Sequence, residues 1–357
     1  MAQLTHRERV FAVLSGFRPP VVPCLGECPM DTTVFRALMP PPTGDRVRDA
    51  LLFAEFFDNS AVDVGISLRQ ETLTRDAHHH RYRYETGAVW LERYEPMFNR
   101  EAVSFPINTP DDAMQFTMPD AASPERLDDE ELRRVVAAFH DAGYFVQGGV
   151  MGAWFGVYYY LTTFANALMW MASHPDAAHA LFDRTSRFSL DSATRLLRCG
   201  VDCIFPASDL GSARGLLFSR AMFQEYVLPW LRELADCCHD HGAFLHLHSH
   251  GHIEEIMDDV VDAGVDIINP IGPSDNNDLA MFKAHWGDRV TLHGGISTTI
   301  GAMSREGIRG HIADVMAVGR VGGRFFPRTE SGIPPMTTDL ALFYIETLKE
   351  ARHWGYA

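Results

Sequence analysis

The chain has 357 residues and a formal charge of −16, with 46% hydrophobic and 22% charged residues. That is the composition of a globular protein, long enough for two average domains or one large α/β barrel. The acidity excludes nucleic acid or an anionic membrane surface as a partner held by general electrostatics, and leaves room for a local basic pocket.

The first residues, Met1 to Glu8, hold no apolar run, so no secretory signal is predicted. Six sparse cysteines (Cys24, Cys28, Cys199, Cys203, Cys237, Cys238) read as thiols of a cytoplasmic protein, not as a disulfide frame. A helix opens the chain, with the capping box Thr5-x-x-Glu8 ahead of Val10, Phe11 and Leu14. After Pro19-Pro20, short apolar runs alternate with helical segments. The runs are 21–26, 61–67, 144–150, 202–207, 243–248, 265–269, 290–293 and 323–327. Ser219 caps an amphipathic stretch reaching His239 with a kink at Pro229, and helical segments follow at 254–263, 279–285, 307–318 and 339–353.

Eight strands alternating with helices predict one α/β domain over 1–357, a (β/α)8 TIM barrel with an N-terminal helical extension. A hairpin around 80–93, in the long connection between the first and third strands, predicts an insertion covering the barrel mouth. No Gly-x-Gly-x-x-Gly turn supports the competing doubly wound sheet. Residues 142–173 lack Asp, Glu, Lys, Arg and His and superficially resemble a membrane span. Gly148, Gly149, Gly152 and Gly156, with Gln147 and Asn166, predict instead a buried strand, a glycine-rich loop and a buried helix. No membrane contact is expected.

Barrel enzymes place their chemistry at the C-terminal strand ends. Here those ends carry Glu27 and Cys28, Arg69, Trp154, Asp209, His248 and His250, Asn269, His293, and Arg328 with Glu330. The densest signal is Leu245-His246-Leu247-His248-Ser249-His250-Gly251-His252, four histidines in a window where 17 in the whole chain would rarely place one. Residues two apart share a face of a strand, and imidazole is the commonest metal-binding side chain near neutral pH. His248 and His250 at the end of the run are the expected ligands, His246 lies one layer deeper as core, and His252 starts the next helix. His78-His79-His80 reads as a solvated stretch. Glu330 is the expected third ligand, with His293, Asp209, Cys24 and Cys28 also open. Two imidazoles and a carboxylate suit zinc, and also manganese or ferrous iron. Tyr160, from Tyr158-Tyr159-Tyr160, and Asp209 are the catalytic candidates. Arg69, Trp154, Asn269 and Arg328 are the expected substrate contacts, the arginines as forks for a carboxylate, as Arg214 could also be.

These residues resemble the uroporphyrinogen decarboxylase-like superfamily, and its cobamide-dependent methyltransferases more closely than the decarboxylase proper. The resemblance begins at Thr5-x-Arg7-Glu8-Arg9-Val10 and passes through Ser208-Asp209-Leu210 and Phe218-Ser219-x-x-Met222-Phe223. It is clearest in His248-Ser249-His250-Gly251, Ala263-Gly264-Val265-Asp266-x-Ile268-Asn269-Pro270 and His293-Gly294-Gly295-Ile296. In that branch a His-Ser-Cys-Gly motif and a second cysteine near Gly-Ile-Pro-Pro hold zinc, which activates a thiol acceptor. By position the histidine is His248, the first cysteine is replaced by His250, and the second falls at Glu330 or Ser331. A His-His-carboxylate site is more Lewis-acidic than a thiolate site and favours an oxygen-bearing ligand. In the decarboxylase, an N-terminal arginine motif binds substrate carboxylates. Here Arg18-Pro19-Pro20 leads to Glu27 with no arginine pair, although Tyr160 matches the family's tyrosine by its distance from Gly152-Ala153. An octa-acid porphyrinogen would lack its counter-charges.

The resemblance therefore implies a zinc-dependent (or other divalent-metal-dependent) methyltransferase acting on a small molecule, with a corrinoid protein as partner. The alternative is a decarboxylase or lyase of the same type on a non-porphyrin carboxylate, using a metal or Tyr160 and Asp209. A third reading is a non-catalytic corrinoid- or metabolite-binding barrel. A homodimer is compatible with each.

Overall fold

The computed structural model describes residues 4–30, 39, 41–95, 98–123, 126 and 128–353. The opening helix, His6–Leu14, carries the capping box read from the sequence: Thr5 accepts from the Glu8 N–H while the Glu8 carboxylate accepts from the Thr5 N–H. Thirteen strands follow in the described residues: β1 (Ala61–Gly65), β2 (Gln70–Arg75), β3 (His79–Tyr84), β4 (Val89–Arg93), β5 (Asn99–Ser104), β6 (Phe145–Met151), β7 (Cys203–Ala207), β8 (Gly211–Ser212), β9 (Gly215–Leu216), β10 (Phe244–His248), β11 (Ile267–Ile271), β12 (Thr291–Ile296) and β13 (Phe325–Thr329). Seven of them form one parallel sheet in the order β1-β6-β7-β10-β11-β12-β13, with helices between successive strands.

The sheet curls, and its inward residues say how. Val10, Val13 and Leu14 of the opening helix share one apolar cluster with Leu25, Ala61, Phe145, Cys203, Ile267 and Phe326, and Phe244 packs against it. Ala61 and Phe326 come from β1 and β13, the two ends of the strand order, so the ends approach one another around a common interior. The helix closes the bottom of that interior. Side chains two apart along a strand share a face, so the next inward layer is Asp63, Gln147, Phe205, His246, Asn269 and Arg328. The layer above holds Gly65, Gly149, Ala207, His248 and Glu330. An apolar floor, a polar middle and a glycine-rich top follow directly from the two-residue period.

The first expected strand, 21–26, is a correction: among the described residues it joins no ladder. Pro23 and Pro29 lack the N–H a ladder needs and Gly26 takes φ 157°, so regular pairing fails. One backbone bond and several side chains bridge the seam instead. The Cys24 carbonyl accepts from Ser60 N–H at 2.6 Å, and Asn59 and Glu27 exchange bonds of 2.8 and 2.9 Å. On the other side the buried Glu27 carboxylate accepts from Thr329 N–H (3.0 Å), the Thr329 hydroxyl and the Tyr344 hydroxyl (2.6 Å).

The insertion is larger than the hairpin expected at 80–93. β2 to β5 form a four-stranded antiparallel sheet with the β3–β4 hairpin at its centre. It docks on the aromatic turn after β6: Trp90 stacks on Tyr159 at 4.1 Å and donates to the Tyr159 carbonyl at 3.2 Å, and Tyr84 meets Tyr160 edge-on at 4.8 Å. The uncharged stretch is β6, a short helix, a π turn and the helix Phe164–Ser173. No described helix is long and apolar enough to cross a membrane.

Candidate active site

The curled sheet encloses a cavity of about 670 Å³ whose polar wall is Glu27, Cys28, Asp63, Gln147, His246, His248, His293 and Arg328. A second cavity of about 330 Å³ lies under the insertion, bounded by Gly65 to Leu68, Met151, Phe155 and Tyr160; Gly149 and Phe205 line both.

At the top of β10, His248 Nδ1 lies 2.8 Å from Asn269 Oδ1, and the Asn269 amide nitrogen donates to the His293 carbonyl at 3.3 Å. That second bond fixes the amide, so His248 donates from Nδ1 and keeps a lone pair on Nε2. Nε2 stands 3.5 Å from Asp209 Oδ1. Burial, opposed by Asp209 and aided by His250, pushes His248 down to about 4, so the ring is neutral.

His250 follows β10 with its ring 4.9 Å from that of His248 and perpendicular to it. Its Nδ1 is 2.9 Å from Asp275 Oδ2 and its Nε2 is 3.5 Å from the Ser331 hydroxyl. Burial pulls its pKa down, but the Asp275 bond and the charges of Asp275, Asp209 and Glu330 outweigh that and raise it. Asp209, held at φ 49°, accepts from the His250 N–H at 3.1 Å. Glu330 is buried: one oxygen accepts from Ser274 N–H at 2.9 Å, and the other has no partner among the described residues. Burial is the main cause of its raised pKa. Gly272 admits this carboxylate, since a Cβ there would stand 2.3 Å from Glu330 Oε1.

Each of the three expected ligands is thus pinned at one atom, while the second is held only at 3.5 Å in His248 and His250 and has no partner among the described residues in Glu330. His248 is held by Asn269, His250 by Asp275 and Glu330 by Ser274. Imidazoles that bind metals through Nε2 show this arrangement, with Nδ1–H given to a carboxylate or carbonyl oxygen. The donor chemistry fits a divalent ion. The three side chains do not converge into a finished cage, and among the described residues no group of three His, Cys, Asp or Glu side chains does.

Other expectations are redistributed. Arg328 lines the large cavity. Arg69 does not reach it: the chain leaves β1 toward the insertion, where Arg69 pairs with Glu85 at 3.0 Å. Trp154 is fully buried among Tyr158, Phe164, Phe182 and Phe218, so it packs the core and lines neither of these two cavities. Asn269 is also fully buried and orients His248. Tyr160 lines the smaller cavity, and no hydrogen bond joins it to Asp209 or the histidines among the described residues. Tyr158 is the tyrosine whose phenol feels Asp209. His293 does not reach the mouth; it bonds His246 at 3.2 Å within the interior. Cys24 is buried in the seam, and Cys28 meets Arg328 at 3.5 Å. Asp63, Gln147 and Asp275 were not among the expected residues. For Asp63 and Gln147 the signal was present, a polar residue on the inward phase of an otherwise apolar strand.

The model of the uroporphyrinogen decarboxylase (URO-D) family matches residues 102–343, more than half of the sequence. The chain belongs to that family. A methyltransferase from Methanosarcina mazei has a similar structure, at 18% identity and TM-score 0.71, with 99% of this chain and 100% of that one covered. At that identity the likeness shows the fold. A B12-independent methionine synthase from Shewanella sp. W3-18-1 aligns over 93% of this chain and 95% of its own, at 10% identity and TM-score 0.45, too low to bear on function. No curated protein matches the sequence.

Proposed function

We propose that this member of the URO-D family is a metal-dependent methyltransferase acting on a small molecule in the cavity. The observation that carries the reading is the trio His248, His250 and Glu330, each anchored firmly at one atom and weakly or not at all at another, at the rim above a polar cavity. These three residues would hold a divalent ion, zinc in the first place, with Asp209 beside His248. Such an ion supplies Lewis acidity that makes a bound oxygen or thiol acceptor more nucleophilic. The protein's own part is to desolvate and orient. Asn269 fixes the His248 tautomer, Asp275 aims His250, and the Asp209 carboxylate stands where the acceptor's proton would leave. A corrinoid protein presenting the methyl group at the mouth fits this reading, as does the name of the Methanosarcina structure that this chain matches end to end. The second reading, a lyase on a non-porphyrin carboxylate, is favoured by Arg328, the one cationic side chain among the cavity's described lining residues. A single arginine is a poor match for an octa-acid.

Metal analysis of the purified chain, with a methyl-transfer assay using methylcobalamin as donor, tests the proposal. One zinc per chain, lost in His248→Ala and Glu330→Gln together with methyl transfer, is the expected result. Metal-free protein that stays metal-free after zinc is supplied would sink it. Carbon dioxide release from small acids, without methyl transfer, would favour the lyase.

A further inference from the structure

Below the histidine rim, the polar middle layer is wired in one direction. Gln147 donates from Nε2 to Asp63 Oδ1 (3.1 Å) and to the Leu25 carbonyl (3.4 Å), so its own oxygen accepts from His246 Nδ1 at 2.7 Å. His246 Nε2 then accepts from His293 Nδ1 at 3.2 Å. This chain holds the Asp63 carboxyl still at one oxygen and leaves the other without a hydrogen bond among the described residues. Asp63 is open to the cavity although it lies in the interior.

Arg328 faces the same space from the other side of the seam. Its guanidinium makes one hydrogen bond, to the Cys28 thiol at 3.5 Å, and its Nε is buried without a partner. No carboxylate lies within ion-pair distance of it among the described residues. Glu27 and Asp63 act on it only from beyond ion-pair distance, and the Glu27 oxygens already accept from Thr329 and Tyr344. Interior guanidinium donors left without an acceptor are costly, and a ligand oxygen would satisfy them. A guanidinium matches a carboxylate with two parallel bonds.

We propose that the cavity floor seats a small 2-hydroxy or 2-amino acid, its carboxylate on Arg328 and its neighbouring hydroxyl or amine on Asp63. This deepens the function proposed above by naming the class of molecule held beneath the rim. A floor of apolar side chains lies directly below, so the polar groups of the ligand are held from the middle layer and not from beneath. The cavity exceeds the volume of such an acid, and the remainder opens toward His248, where a second reactant would stand.

Calorimetric titration of the full chain with L-lactate, L-alanine, propionate and lactamide tests the seat without any assay of turnover. Lactate or alanine should bind, propionate at least about threefold more weakly, and lactamide not at all, because it carries no charge for Arg328. Arg328→Lys should weaken the acid about tenfold by losing the fork geometry. Asp63→Asn should erase the preference for lactate or alanine over propionate. The proposal is overturned if neither acid binds, if lactamide binds as well as lactate, or if both variants bind like the parent. Should lactate bind as described while methyl transfer is absent, the reaction proposed above fails and the seat stands. Methyl transfer without acid binding has the converse meaning.

Discussion

His248 and His250 are two residues apart and are tuned in opposite directions. Burial pushes His248 down, whereas Asp275 raises His250 despite its burial. Asp275→Asn is expected to lower the His250 pKa, read by NMR titration of its ring. A group whose pKa is raised on folding contributes stability that is fully present below its unfolded value and is lost as pH rises through the folded one. Asp275→Asn should therefore cost about 1 kcal/mol at about pH 5.5 and clearly less at about pH 9. The figure is kept low because the His250 side chain is 34% exposed and solvent screens the pair. Urea unfolding of both proteins at the two pH values measures the difference, and equal costs would remove the ion pair from the account. Both histidines were legible in the sequence because strand alternation is a local property. Asp275 was not, since nothing in the local pattern of its turn marks a partner for a side chain 25 residues earlier.

At the level of elements, two contacts decide whether the rim and the insertion stay in place. Gly152 sits where β6 meets β7: a Cβ there would stand 2.0 Å from the Ala207 carbonyl oxygen and 2.6 Å from the Ser208 hydroxyl. Backbone cannot yield as a side chain would, so Gly152→Ala is expected to destabilise by about 3 kcal/mol, measured by chemical denaturation. Trp90 holds the insertion through the stacked Tyr159 ring and its carbonyl. Trp90→Ala should cost about 3 kcal/mol, and limited proteolysis should then cut first within 66–107. Cleavage spread evenly over the chain would show that the insertion is not a separate docking unit. The hairpin was visible in the sequence as alternation around 80–93, but its two flanking strands were not. β2 and β5 are polar and largely exposed, with no apolar period to announce them.

Across the whole molecule, His6, His246, His248 and His293 all have pKa values depressed chiefly by burial, with His6 and His248 at about 4. The sign is opposite to that of His250. Unfolding lets these rings take up protons, so their contribution is present above the unfolded value near 6.5 and is lost as pH falls below it. Each can contribute a slope of up to about 1.4 kcal/mol per pH unit. Stability is thus expected to fall steeply between about pH 6.5 and about pH 5, before carboxylates such as Asp202, whose pKa is lowered by His140 and Arg7, begin to titrate. Urea midpoints across that range measure the slope. A flat profile would mean that the interior rings titrate freely.

The sequence by itself determined the seven strands of the parallel sheet, the opening cap, the family and the two histidines at the end of β10. Each of these is a matter of local period, local capping or contiguous motif. Only the tertiary structure decided that 21–26 is a seam joined by one backbone bond and several side chains, that Trp154 and Arg69 lie away from the cavity, and that Asp63, Gln147, His246 and His293 form one wire. The Gln147–His246 bond spans 99 residues of sequence, and the Glu27–Tyr344 bond spans 317. Which inward residues meet is set by the stagger of curled strands. That stagger depends on every crossover at once, so no local stretch of sequence could show it.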